Sequence, residues 1–186
     1  MLAIFLSVTF AWLNIAILQS NAAPLSGETI LPTTSEDFIP QDFVEIELSK
    51  AKSEQSAILA QKEKEIRIQK VENIFAKYNS PMKGYGYIIV EQAEACGGDY
   101  RILTAIAGNE SGFGRVPYKL YNPFGYLDGR QYSGWEESLT YISCQISKRF
   151  IKPCNGDLYC IVKTYAGPQD DKDQWVRNIS FFMRQF

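Results

Sequence analysis

A chain of 186 residues, 46% hydrophobic and 22% charged, has room for one compact soluble domain plus some extra sequence. Nineteen basic against 21 acidic residues leave a formal charge of -2, which excludes a large positive field for gathering nucleic acid or an anionic membrane. Histidine is absent and the cysteines form no C-x-x-C pair. Ser-His and Cys-His nucleophile pairs are therefore excluded, a zinc site is not expected, and no cofactor is implied.

Residues 1–23 open with an uncharged apolar run, Met1 to Leu18, followed by Gln19-Ser20-Asn21-Ala22-Ala23-Pro24. This predicts an export signal cut after Ala22 or Ala23, or an uncleaved membrane anchor. The run is at the short limit of the roughly 17 to 25 residues that span a bilayer. Either way the rest of the chain would lie outside the cytoplasmic membrane, where Cys96, Cys144, Cys154 and Cys160 are expected to pair. Four cysteines allow three connectivities. Cys154 and Cys160 are expected to close a short loop, leaving Cys96 for Cys144.

Residues 24–48 are polar and acidic, with Pro32 and Pro40, and read as a flexible tether. Residues 49–79 lack Gly and Pro and place Val71, Ile74, Phe75 and Tyr78 at helical spacing, predicting a long helix whose last turns dock on the core. A coiled-coil partner helix is the alternative, although apolar residues do not hold a and d positions over three heptads.

Residues 80–186 break into shorter helices with legible stops. One runs from about Tyr85 to Ala95 and ends at Gly97-Gly98. Asp99 caps the next, which carries Ile102, Leu103, Ile106 and Ala107 and ends at Gly112. Ser133 and Glu136 are spaced as a capping box ahead of Leu139, Ile142 and Ile146. Asp157 caps another helix that Gly167-Pro168 stops, and Trp175, Val176, Ile179, Phe182, Met183 and Phe186 form a last amphipathic stripe. No strand pattern longer than a hairpin is present, so the expected fold is mainly α: a compact helical domain preceded by a long N-terminal helix.

With histidine absent, acid-base chemistry must rest on carboxylates, Tyr or Lys. Glu110 follows Leu103, Ile106 and Ala107 at offsets of seven, four and three, which places it on their helical face at the helix C-terminus. The helix macrodipole and any burial there would both disfavour a charged carboxylate. A carboxyl group that keeps its proton suits glycosidic cleavage, in which the leaving oxygen must be protonated. The plain alternative is an exposed Glu on a last turn.

The segment Ala105-Ile106-Ala107-Gly108-Asn109-Glu110-Ser111-Gly112-Phe113-Gly114 resembles the one in lytic transglycosylases and peptidoglycan glucosaminidases that delivers a catalytic glutamate in E-S-x-[FW]-G. Asn122-Pro123-Phe124-Gly125-Tyr126 resembles their N-x-F-G-[IYW] segment, and Tyr132-Ser133-Gly134-Trp135-Glu136-Glu137-Ser138-Leu139 their F-x-S-W-E-E-G-I helix start. The likeness spans about Tyr78 to Phe186 and implies a lysozyme-like fold acting on the β-1,4 glycan strands of peptidoglycan. It implies Glu110 as the acid, Ser111 as a supporting contact to it or to substrate, Asn122, Phe124 and Gly125 as cleft residues, and Tyr165 near the glutamate. Tyr165 stands in Thr164-Tyr165-Ala166-Gly167-Pro168, similar to a Y-x-x-G-P segment in which asparagine usually takes the place of Ala166.

In transglycosylases the glutamate acts first as acid and then as base toward the sugar's own 6-hydroxyl, closing a 1,6-anhydro ring. A hydrolytic glucosaminidase or muramidase would need a second carboxylate, for which Asp128, Glu136 and Glu137 are the candidates. A non-catalytic wall-binding scaffold is the rival from another class. Tyr118, Tyr121, Tyr126 and Tyr132, with Phe113 and Phe124, are expected around the cleft, since sugar faces stack on aromatic rings. Asn109-Glu110-Ser111 and Asn178-Ile179-Ser180 match the N-glycosylation pattern but fall in predicted helices and are discounted.

Overall fold

The computed structural model describes residues 41–186, apart from the side chains of Gln41, Phe43 and Val44. The expected leader and the tether up to Pro40 lie outside the described residues. Among the described residues no helix is long and apolar enough to cross a membrane.

The described chain is mainly helical, as expected. Helix α1 (Gln41–Lys77) is followed by α2 (Gly86–Cys96), α3 (Tyr100–Ser111), α4 (Trp135–Ile146), α5 (Leu158–Tyr165) and α6 (Lys172–Met183). The nearest approach to a strand among these residues is one bridge between Lys119 and Asn122. The spacing predicts a helix from Ser49, but α1 already includes Gln41, the first described residue, so residues 41–48 of the expected tether are helical. They contain no Gly or Pro, and Asp42 stands favourably in the first turn. Acidic composition there does not preclude a helix.

From Glu45 to Glu63 the side chains of α1 are exposed. Its last turns dock as expected through buried Val71, Ile74 and Phe75, and the helix stops at Lys77, where Asn79 turns left-handed at φ 51°. Two ion pairs, Lys64 with Glu91 and Arg67 with Glu94, tie α1 to α2. Glu72 also accepts the amides of Gly84 and Gly86, at 2.9 and 2.6 Å, and so caps the start of α2 from another element. A Cβ on Gly86 would stand 2.6 Å from that carboxylate, so the close approach requires glycine.

Asp99 caps α3 through Arg101 N, and Asp157 caps α5 through Cys160 N, as their positions predicted. The expected Ser133–Glu136 box is shifted by one residue. Gly134 is the N-cap of α4, and it is Glu137 that accepts both the amide and the hydroxyl of Ser133, at 2.8 and 2.6 Å. Helix α4 then runs into a π-helical turn, Ser147–Ile151, that the periodicity did not announce.

The core gathers Phe75, Ile89, Leu103, Ile106, Leu139, Ile142, Ile161 and Ile179 from all six helices. Helix α3 is buried from Ile102 to Gly108 and packs along α6. Disulfides join Cys96 to Cys144, linking α2 to α4, and Cys154 to Cys160, tying the turn before α5 to its first turn, which is the pairing read from the sequence. Two such bonds fit an oxidising compartment.

Candidate active site

Glu110 is the next-to-last residue of α3, beyond the point where that helix leaves the core. Leu103, Ile106 and Ala107 on its face are fully buried, whereas Glu110 is exposed to a cleft of about 660 Å³. The expected partial burial of the carboxyl is thus not what the fold provides.

The chain after Glu110 reverses abruptly. Gly112, Phe113 and Gly114 all lie in the left-handed region, at φ 58°, 61° and 79°. That conformation costs a non-glycine residue roughly 1–2 kcal/mol, and Phe113 is held there by its surroundings. Its ring stacks on Tyr78 at 4.5 Å and meets Phe75 and Phe182 edge-on. Its amide closes the helix on Ala107 O, and Ser80 Oγ donates to its carbonyl. Gly108 completes the arrangement, because a Cβ there would stand 2.6 Å from the Phe113 ring.

Ser111 is buried behind this reversal. Its Oγ lies 2.7 Å from Pro123 O and 3.0 Å from Ala107 O, and accepts the amide of Gly114 at 2.7 Å. The expected contact to Glu110 or to substrate is therefore corrected: Ser111 fastens the 112–114 reversal to the 122–125 turn, and its polar atoms are consumed by backbone. Asn122 is corrected likewise. It is buried, donates to Tyr126 O at 2.6 Å and accepts the amides of Phe124 and Tyr126, so it shapes the turn from within and does not line the cleft.

That turn does reach Glu110. Phe124 and Gly125 both border the cleft, although the Phe124 ring itself is buried. Gly125 is left-handed at φ 63°, and a Cβ on it would stand 3.2 Å from Glu110 Oε2. Tyr165, the last residue of α5, donates its hydroxyl to Phe124 O at 2.5 Å and also borders the cleft. Burial, and after it the nearby Glu110 carboxylate, push the Tyr165 phenol well above the ordinary tyrosine range, so it stays a neutral donor. Its ring meets Phe150 at 5.1 Å and Trp175 at 5.8 Å.

Trp175 and Phe150 are site residues that sequence reasoning missed. The sequence places Trp175 on the apolar stripe of α6, yet its Nε1 donates to Glu110 Oε1 at 3.1 Å. Phe150 belongs to the π-helical turn, a local insertion of the kind often found at functional sites. Of the six aromatics expected around the cleft, Phe124 and Tyr126 border it. Phe113 is in the core, Tyr132 is buried against Asp128, Tyr121 packs edge-on against Trp135, and Tyr118 is 84% exposed.

The second-carboxylate candidates also need correction. Asp128 accepts the Tyr132 hydroxyl at 2.8 Å and the Arg130 amide, while Glu136 and Glu137 border a separate shallow groove with Arg130 and Tyr141. Asp170 and Asp171 are instead the acids that share the cleft with Glu110. Asp170 accepts the Gly167 amide, and Asp171 caps α6 through Gln174 N. Their position just before a helix could have suggested the cap but not the cleft. Among the described residues no cluster of three or more acidic or cysteine side chains is placed to hold a metal ion.

Asn109 and Asn178 lie within α3 and α6, as expected when the glycosylation pattern was discounted, and are bonded to each other at the cleft. No family profile, curated protein or solved structure matches this chain.

Proposed function

We propose that the protein cleaves the glycan strands of peptidoglycan, with Glu110 as general acid, in a lysozyme-like domain acting outside the cytoplasmic membrane. The observation that carries this reading is the exposed Glu110 at the end of α3, in a cleft walled by Tyr126, Phe150, Tyr165 and Trp175. An elongated polar ligand with apolar ring faces suits such walls, and a carboxyl group at their centre suits proton delivery to a glycosidic oxygen. The three sequence segments resembling lytic transglycosylases give this cleft its substrate class. The two disulfides support an oxidising, extracytoplasmic location, and the apolar start of the chain supports secretion or anchorage.

The favoured mechanism uses Glu110 twice, as acid toward the leaving oxygen and then as base toward the 6-hydroxyl, leaving a 1,6-anhydro sugar. A specific observation favours a second reading: Asp170 and Asp171 border the same cleft, and hydrolysis requires a second carboxylate. Digestion of purified peptidoglycan in water enriched in heavy oxygen separates the two. An anhydro product without label supports the transglycosylase, and a labelled reducing end supports hydrolysis, in which case Asp170→Asn and Asp171→Asn identify the partner.

A further inference from the structure

The two oxygens of Glu110 are treated differently by the protein. Oε1 accepts Trp175 Nε1 at 3.1 Å and Asn109 Nδ2 at 3.0 Å. Asn109 is itself steered from α6: Asn178 Nδ2 donates to Asn109 Oδ1 at 2.8 Å, and Gln174 Nε2 donates to Asn178 Oδ1 at 2.6 Å. Asn178 and Asn109 each accept on the amide oxygen from the preceding residue of the row and donate through NH2 to the next, which fixes their orientation, while the Gln174 oxygen accepts from Arg177. Oε2 faces Gly125 and has no donor among the described residues.

We infer that Trp175 and the amide row Gln174–Asn178–Asn109 are positioning residues that clamp Oε1, so that the transferable proton resides on Oε2, beside Gly125. The inference rests on Glu110 being the acid of the proposed reaction. An oxygen that already receives two N–H groups cannot also point a proton at them, whereas Oε2 has free lone pairs facing the cleft. Both donors can also bond the carboxylate left once the proton has been transferred, the form needed when Glu110 turns from acid to base. Gly125 keeps the space next to Oε2 open for the glycosidic oxygen. The other titratable groups on the cleft are Tyr126, Tyr165, Asp170 and Asp171, none of which donates to or accepts from Glu110.

The test is a carbon-13 NMR titration of the glutamate carboxyls in the full chain, with the Glu110 resonance assigned by its loss in Glu110→Gln, together with kcat and KM on soluble glycan fragments. Trp175→Phe and Asn109→Ala are each expected to raise the Glu110 midpoint by several tenths to about one pH unit, and Asn178→Ala by less. In all three kcat should fall with KM little changed. Asn109 is only partly buried, so its variant keeps the test open if Trp175→Phe fails to fold. An unmoved midpoint in folded Asn109→Ala overturns the inference. Shifted midpoints in a protein that cleaves no glycan would overturn the glycosidase reading and leave the clamp standing, whereas turnover with unmoved midpoints does the reverse.

Discussion

Glu110→Gln keeps the shape of the side chain and its acceptor for Trp175 and Asn109 while removing the acidic proton. Glycan turnover is expected to drop by about 10²- to 10⁴-fold, with binding retained in calorimetry on glycan fragments. Ser111 leads to a different expectation. Ser111→Ala leaves the Gly114 amide and Pro123 carbonyl without their buried partner, so a denaturant melt should show a loss of about 1–3 kcal/mol. A fall in activity with unchanged stability would return Ser111 to substrate contact. Glu110 was legible in the sequence because a helical offset and a short motif both pointed to it. Trp175 and Asp170 were not, because α3 and the start of α6 meet only through tertiary packing, and a tryptophan on an apolar stripe reads the same whether its N–H points to solvent or to a carboxylate.

At the scale of elements, the left-handed turn after α3 depends on Gly108 as much as on Gly112 and Gly114. Gly108→Ala would push a methyl into the Phe113 ring, and overpacking of this kind costs about 1–3 kcal/mol, measurable as a lowered unfolding midpoint. The start of α4 carries a pH signature. The hydroxyl and then the amide of Ser133 hold the Glu137 carboxyl below its ordinary value of 4.5. Its folded pKa is therefore lower than its unfolded one, so its contribution to stability is present above pH 4.5 and fades as pH falls through the folded value. Glu137→Gln should be less stable than wild type at neutral pH, and the gap should close in acid; a constant gap across that range would contradict the hydrogen bonds. Helix existence was readable wherever a cap and an apolar stripe coincided, as at Asp99 and Asp157. The boundaries failed where composition misled, at residues 41–48, and where a lone glycine took the N-cap in place of Ser133. The π-helical turn has no sequence signal beyond an unbroken run, so Phe150 could not be aimed into the cleft in advance.

For the whole molecule, the two disulfides differ in reach. In the loop-entropy model the Cys96–Cys144 bond, with a sequence separation of 48, is worth roughly 4 kcal/mol, and the Cys154–Cys160 bond, with a separation of 6, roughly 2 kcal/mol. Replacing Cys96 and Cys144 together by alanine should therefore lower thermal stability more than replacing Cys154 and Cys160, as read by calorimetry. The reverse order would show that strain or residual unfolded structure outweighs chain entropy. Docking of α1 depends on Val71, Ile74 and Phe75 more than on its ion pairs with α2, which are solvent-exposed enough to be screened and weak. Helices α3 and α5 pack on α6 around one cleft, and what that cleft does is decided most directly by its products. Purified peptidoglycan should be digested with wild type and with Glu110→Gln in water enriched in heavy oxygen, and the fragments weighed by mass spectrometry. Wild type is expected to release fragments ending in an unlabelled 1,6-anhydro sugar, and Glu110→Gln almost none. Equal release by the variant, or no release by wild type from any peptidoglycan it binds, would contradict the account.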